Sequence, residues 1–201
     1  MTFRTLALAL TALTTVVVAG SYAVSGWPGS AEAALEPPPV TSEFELLDQT
    51  GRTVRDEDFH DKWLLVFFGF TACPDICPTT LTNVAAVLEE LGPAAGKLQP
   101  LFITVDPERD TPPVLKEYLT AFDPRIRGLT GTREQVDTAL RSFIVHASKR
   151  QLDGGDYTME HSSFVYLMDP RGGYAAHYLA QVPPEEMARR VRARLEGGSP
   201  S

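Results

Sequence analysis

Apolar positions recur along this chain with two periods, and the switches between them mark out its elements. Phe44 to Leu47 and Thr53-Val54 flank the turn-rich stretch Asp48 to Arg52, which predicts a hairpin. Trp63 to Phe70 is a continuous apolar run and predicts a buried strand. After it Leu81, Val84, Ala85, Leu88 and Leu91 recur at helical spacing. Leu101 to Val105 reads as a second buried strand. It ends in Asp106 to Pro113, where Thr111 looks like a helix cap and Pro112 like the first helical residue. Leu115, Tyr118, Leu119 and Phe122 continue that helix. Thr132 and Gln135 make a capping-box pattern for a third helix, with Val136, Leu140, Phe143 and Ile144 on its inner face. Lys149 to Glu160 is polar and glycine-containing, which predicts a loop or irregular hairpin. Phe164 to Met168 and Tyr174 to Tyr178 are strands joined by the turn Asp169 to Gly173, and Pro183 to Glu186 opens a last helix carrying Met187, Val191 and Leu195. Strands alternating with helices, closed by a hairpin and a helix, give an α/β sandwich around a mixed sheet.

The N-terminal segment follows neither period. No charged residue lies between Arg4 and Glu32, and the stretch from Leu6 to about Trp27 is long enough to cross a bilayer as a helix. Ala31-Glu32-Ala33 offers a small-x-small cleavage pattern, but it lies beyond the most apolar part, so an uncleaved anchor is preferred to a signal peptide. Arg4 on one side and Glu32 and Glu36 on the other predict a single anchor in the cytoplasmic membrane, with the domain on the exported side. Pro28 to Val40, with Glu36-Pro37-Pro38-Pro39, reads as a semi-rigid spacer. The expected organisation is an anchor or signal segment over 1–27, a proline-rich linker over 28–40, one domain over 41–196 and a flexible tail over 197–201.

The chain has 201 residues, room for one domain of ordinary size. Its formal net charge of −8, without clustered Lys and Arg, argues against a nucleic-acid partner. It has two cysteines, and both fall in Thr71-Ala72-Cys73-Pro74-Asp75-Ile76-Cys77-Pro78, immediately after the Trp63 to Phe70 run. Three intervening residues place the sulfurs close enough to grip one metal ion or to form one disulfide. At a strand-to-helix junction the positive helix end favours thiolate, so reactive sulfur outweighs a purely structural pair.

A dithiol at the end of a central strand is the thioredoxin-like plan, here with a mixed central sheet, an N-terminal hairpin extension and flanking helices. Three separated stretches go further: Gly69 to Pro78, then Val105-Asp106-Pro107-Glu108-Arg109-Asp110-Thr111-Pro112, and finally Asp156-Tyr157-Thr158-Met159-Glu160-His161-Ser162. Together they resemble the Sco/SenC family, the copper-binding proteins of cytochrome c oxidase assembly, over essentially all of Thr41 to Leu195. The resemblance implies that Cys73, Cys77 and His161 bind copper. Glu160 departs from the Asp often found before that histidine, which bears on how the loop beside His161 is held.

The donor chemistry agrees with the resemblance. Thiolates select copper(I), and an imidazole adds a nitrogen donor, whereas structural zinc normally takes a fourth ligand and no third cysteine exists. Copper(II) is left open as a second state. His60, His146 and His177 have ordinary structural explanations in a charged turn, near a helix end and in a late strand. Met168 reads as core, and Met159 as a loop residue near His161 where an auxiliary copper contact is conceivable. The acidic run Asp106, Glu108 and Asp110 suggests a hard-cation site as one reading, but turn formation and helix capping account for most of it.

The function implied by the resemblance is a membrane-tethered copper chaperone delivering to the binuclear copper site of cytochrome c oxidase. Its copper-bearing subunit is then the partner, with other copper chaperones or thioredoxin-like reductases as further candidates. Two alternatives stand beside it. One is a thiol-disulfide oxidoreductase in which Cys73 and Cys77 are catalytic and reduce the acceptor's cysteines; the other is a copper or redox sensor. A peroxiredoxin-like peroxidase is weaker, because Val66 and Phe70 occupy the places of its motif Pro and Thr.

Overall fold

The structure, a computed structural model, describes residues 40–197. The chain runs β1 (Glu45–Asp48), β2 (Thr53–Arg55), β3 (Trp63–Gly69), α1 (Ile76–Leu91), β4 (Leu98–Thr104), α2 (Pro112–Leu119), β5 (Arg127–Thr130), α3 (Arg133–Ser142), β6 (Ala147–Gln151), β7 (Tyr157–His161), β8 (Phe164–Met168), β9 (Tyr174–Leu179) and α4 (Pro184–Leu195). Seven strands form one sheet in the order β2-β1-β5-β4-β3-β8-β9. The central strands β5, β4 and β3 are parallel, and the flanking pairs are antiparallel. This is the expected thioredoxin-like α/β fold, with the hairpin β1–β2 as its N-terminal extension.

Strand β3 is buried from Leu64 onward and β4 is almost wholly buried, which is why both read as unbroken apolar runs. Helix α1 buries Leu81, Val84, Val87, Leu88 and Leu91 and packs against α4, whose Arg192 donates to the carbonyls of Glu90 and Leu91. A cation there meets the negative end of α1. The Thr132–Gln135 capping box opens α3, each side chain bonding the other residue's N–H. At α2 the predicted positions hold, but the Thr111 side chain makes no cap bond and Pro112 starts the helix alone.

The polar stretch before His161 is more regular than its composition predicts. It is a two-stranded antiparallel sheet, β6–β7, joined to the seven-stranded sheet by no ladder. Alternation is masked there because the hairpin buries little more than Met159, so periodicity is a weak signal.

The expected localisation, a cytoplasmic-membrane protein with one N-terminal anchor, is corrected. Among the described residues no helix is long and apolar enough to cross a membrane. The longest, α1, has 16 residues where a span needs about 20. Residues 1–27, to which the anchor was assigned, lie outside the described residues.

Candidate metal centre

The end of β3 delivers the chain to the cysteine segment, and α1 begins within it. Cys77 lies in the first turn of α1 and is fully buried, whereas Cys73 is half-buried in the preceding loop. The N-cap residue Asp75 makes no side-chain cap bond. Its place is taken by the Cys73 sulfur, which accepts the Cys77 N–H at 3.4 Å. Gly69 makes this arrangement possible, since a Cβ there would stand 2.8 Å from the Cys77 sulfur and 2.7 Å from the Phe102 ring.

The two thiols are electrostatically unequal. A hydrogen bond from the Cys77 thiol lowers Cys73 to about 5, and backbone N–H groups of Asp75 and Cys77 act in the same direction against burial. Cys77 is pushed up, first by the same bond to Cys73 and then by its burial. Near neutral pH the pair is therefore a Cys73 thiolate beside a Cys77 thiol, and both cysteines are free. The buried Tyr118 hydroxyl has no hydrogen-bond partner among the described residues, and its pKa is raised by burial and then by the nearby cysteine pair and Asp110.

His161 closes the arrangement from the end of β7. Its Nε2 stands 3.8 Å from the Cys77 sulfur, and its Nδ1 lies 3.0 Å from the Ser162 carbonyl. A carbonyl only accepts, so Nδ1 carries the proton and Nε2 presents a lone pair towards the sulfur. Phe67 and Phe70 meet the imidazole edge-on, with centroids at 6.2 and 5.9 Å.

Among the described residues no group of three His, Cys, Asp or Glu side chains is gathered tightly enough to hold an ion without movement. The contacts are pairwise, Cys73 with Cys77 and Cys77 with His161. Their spacing nevertheless suits a metal. Bonds of about 2.3 Å to sulfur and about 2.0 Å to nitrogen, at a trigonal angle, hold the two donors about 3.7 Å apart. The donor set of one thiolate, one thiol and one orientated imidazole is soft and suits copper(I).

The remaining candidates separate cleanly. His60, His146 and His177 are exposed, and His177 is bonded to the Tyr174 hydroxyl at 2.6 Å. Met168 is core as expected. Met159 lies in β7, not in a loop, and is 7% exposed, so it packs as core.

The acidic cluster departs most from its sequence reading. Asp110 is fully buried and accepts the Thr71 N–H at 3.0 Å, the Thr71 hydroxyl at 2.6 Å and the Thr104 hydroxyl at 2.6 Å. Burial pushes its carboxyl up, opposed by those hydrogen bonds. Asp106 is equally buried and takes donors from Arg109 and Tyr157. These residues fasten the cysteine loop and the histidine hairpin to the β4–α2 connection, beyond any turn or cap. Composition concealed this because Asp in a proline-containing turn before a helix has an adequate local explanation; only burial distinguishes the two roles.

The SCO1/SenC family model matches residues 32–196. The chain belongs to the SCO1/SenC family. SenC of Rhodobacter capsulatus is 38% identical over 206 residues, covering 96% of this chain and 91% of the relative. A SCO2-like protein of Rickettsia felis is 41% identical over 150 residues, covering 74% and 73%. Among solved structures, Bradyrhizobium japonicum ScoI with copper bound is 41% identical, with a TM-score of 0.71 over 76% of this chain and 98% of its own. A Sco-family protein with a cysteine pair beside a histidine is consistent with a copper site and with metallochaperone and redox roles.

Proposed function

We propose that the protein is a copper chaperone that takes up copper(I) through Cys73, Cys77 and His161 and passes it to the copper-bearing subunit of cytochrome c oxidase. The observation that carries this reading is the 3.8 Å approach of His161 Nε2 to the Cys77 sulfur, with Nδ1 committed to the Ser162 carbonyl. A histidine whose second nitrogen donates to a carbonyl is orientated as metal-binding histidines are. The copper held by the related ScoI supports the choice of metal.

Copper is cargo here, and the chain's own residues manage its transfer. The half-buried Cys73 thiolate is open to an incoming ion, while Cys77 gives up its proton only when the ion arrives. Release runs in reverse. An acceptor thiolate adds to the copper, Cys77 regains a proton, and Cys73 and His161 let go in turn. Purified protein loaded with one copper(I) should transfer it to a soluble copper domain of the oxidase subunit, followed by the acceptor's absorption spectrum. No transfer from a stoichiometrically loaded protein sinks the donor reading.

The unequal thiols also favour a second reading, thiol-disulfide exchange. The Cys73 thiolate attacks an acceptor disulfide, and Cys77 then resolves the mixed disulfide, so that two electrons and the thiol proton pass to the acceptor. His161→Ala separates the two, because it removes a metal donor and leaves both sulfurs able to cycle. Normal oxidase assembly in cells carrying a His161→Ala protein that binds copper poorly places the reductase first.

A further inference from the structure

Strand β7 carries Tyr157 at one end and His161 at the other, on the same face, because side chains alternate along a strand. No ladder joins β6–β7 to the main sheet; the His161 end reaches β8 after two residues, whereas the Tyr157 end is placed by side chains. Met159 and the His161 ring pack on the core, but apolar packing has little directional preference. Direction comes from a cluster at the Tyr157 end. Tyr157 Oη donates to Asp106 Oδ1 at 3.0 Å, and Arg109 Nε donates to Asp106 Oδ2 at 2.5 Å. Arg109 Nη1 also donates to the Tyr157 carbonyl at 3.0 Å, and its guanidinium lies 3.9 Å from the centre of the Tyr157 ring. Lys149 Nζ, on β6, lies 4.2 Å from that ring and is paired with Glu108 at 2.8 Å. The connection that supplies Asp106, Glu108 and Arg109 also supplies Asp110, which holds Thr71 in the cysteine segment.

We propose that Tyr157 and Arg109 are positioning residues which, through Asp106, lock β7 to the connection that also holds the cysteine segment, and so set where His161 stands relative to Cys77. The cysteine and histidine sides of the site are then coupled through this connection as well as through the paired strands β3 and β8. The inference deepens the copper reading and rests on it for its consequence, though the lock itself is testable without copper.

The variants are Tyr157→Phe, which keeps the ring and loses the hydroxyl, and Arg109→Gln, with Arg109→Lys as the conservative comparison. In metal-free full-length protein, amide exchange of Thr158 to His161 should accelerate about tenfold or more in Arg109→Gln, while β3 and α1 keep their protection. Copper(I) affinity should fall about 10- to 100-fold, as when a group supporting a metal ligand is removed, with the Cys73–Cys77 reduction potential unchanged. Arg109→Lys should restore part of the affinity through charge alone. Unchanged exchange at β7 in both Tyr157→Phe and Arg109→Gln overturns the proposal, as does acceleration spread evenly over the domain. If β7 loosens but wild-type protein takes up no copper, the lock stands and the copper reading fails. If copper binds and β7 stays protected in every variant, the reverse holds.

Discussion

The cysteines lie where a parallel strand of the main sheet ends and the longest described helix begins, in a frame of ladder hydrogen bonds and buried apolar side chains. His161 lies on a hairpin with one ladder of its own, tied to the rest by a buried carboxylate, a guanidinium and a phenol. The first region is rigid because many weak contacts agree; the far end of the second is placed by a few directional bonds, each removable by one substitution. A carrier that binds and then gives up an ion needs that difference. In the proposed carrier, two donors would hold the cargo on the sheet-and-helix frame and the third would sit on the separate hairpin.

The comparison breaks most completely at the cysteines. Cys73→Ser or Cys77→Ser should abolish tight copper(I) binding, measured by competition with a chromophoric chelator, because a neutral hydroxyl cannot replace a soft thiolate. Retained tight binding in either variant removes that cysteine from the site.

The inequality of the thiols is tested by alkylation. The Cys73 thiolate fraction rises as pH passes upward through about 5 and is nearly complete at pH 7. Iodoacetamide at pH 7 should therefore modify Cys73 to completion while Cys77 stays unmodified, read by peptide mass. Equal labelling refutes the thiolate–thiol pair.

Asp110→Ala should lower stability by about 2–3 kcal/mol in urea unfolding, since it strands the Thr71 N–H and two hydroxyls. The Asp110 carboxyl is raised by burial, so between its unfolded and folded values the native state binds more protons. Its stabilising contribution is thus fully present below about pH 4 and is reduced as pH rises through the folded value. The difference between wild type and variant should shrink in that direction, and a growing difference contradicts the sign.

Gly69→Ala sharpens the rigid side. The added methyl meets the Cys77 sulfur and the Phe102 ring inside contact distance, so a loss of about 1–3 kcal/mol is expected, together with a shifted Cys73–Cys77 reduction potential. An unchanged stability and potential would show that the close approach there is not needed.

The smallest effect lies at the entrance to the histidine hairpin. Ile144, expected on the inner face of the third helix, instead follows α3 with φ of 56°, a left-handed position that a β-branched side chain occupies at a cost, and it is exposed. Ile144→Gly should stabilise by up to about 1 kcal/mol in thermal unfolding, without altering copper affinity. Destabilisation would mean that the side chain makes contacts worth more than its backbone strain.

Much of this was readable in advance, and the parts that were not have a common cause. The runs Trp63 to Phe70 and Leu101 to Val105, the Thr132–Gln135 box, the apolar stripe of α1 and the cysteine motif are local patterns, and local patterns survive in one dimension. From them followed a thioredoxin-like order of elements with a dithiol at a strand-to-helix junction, and the family resemblance then singled out His161. The approach of His161 to Cys77, 84 residues apart, depended on how a two-stranded hairpin docks. So did the conversion of Asp106 and Asp110 from turn formers into buried anchors, the division of the two thiols into acid and base, and the need for glycine at position 69. Each of these depends on distance and desolvation between groups far apart in the chain, and those quantities exist only once the chain has closed on itself.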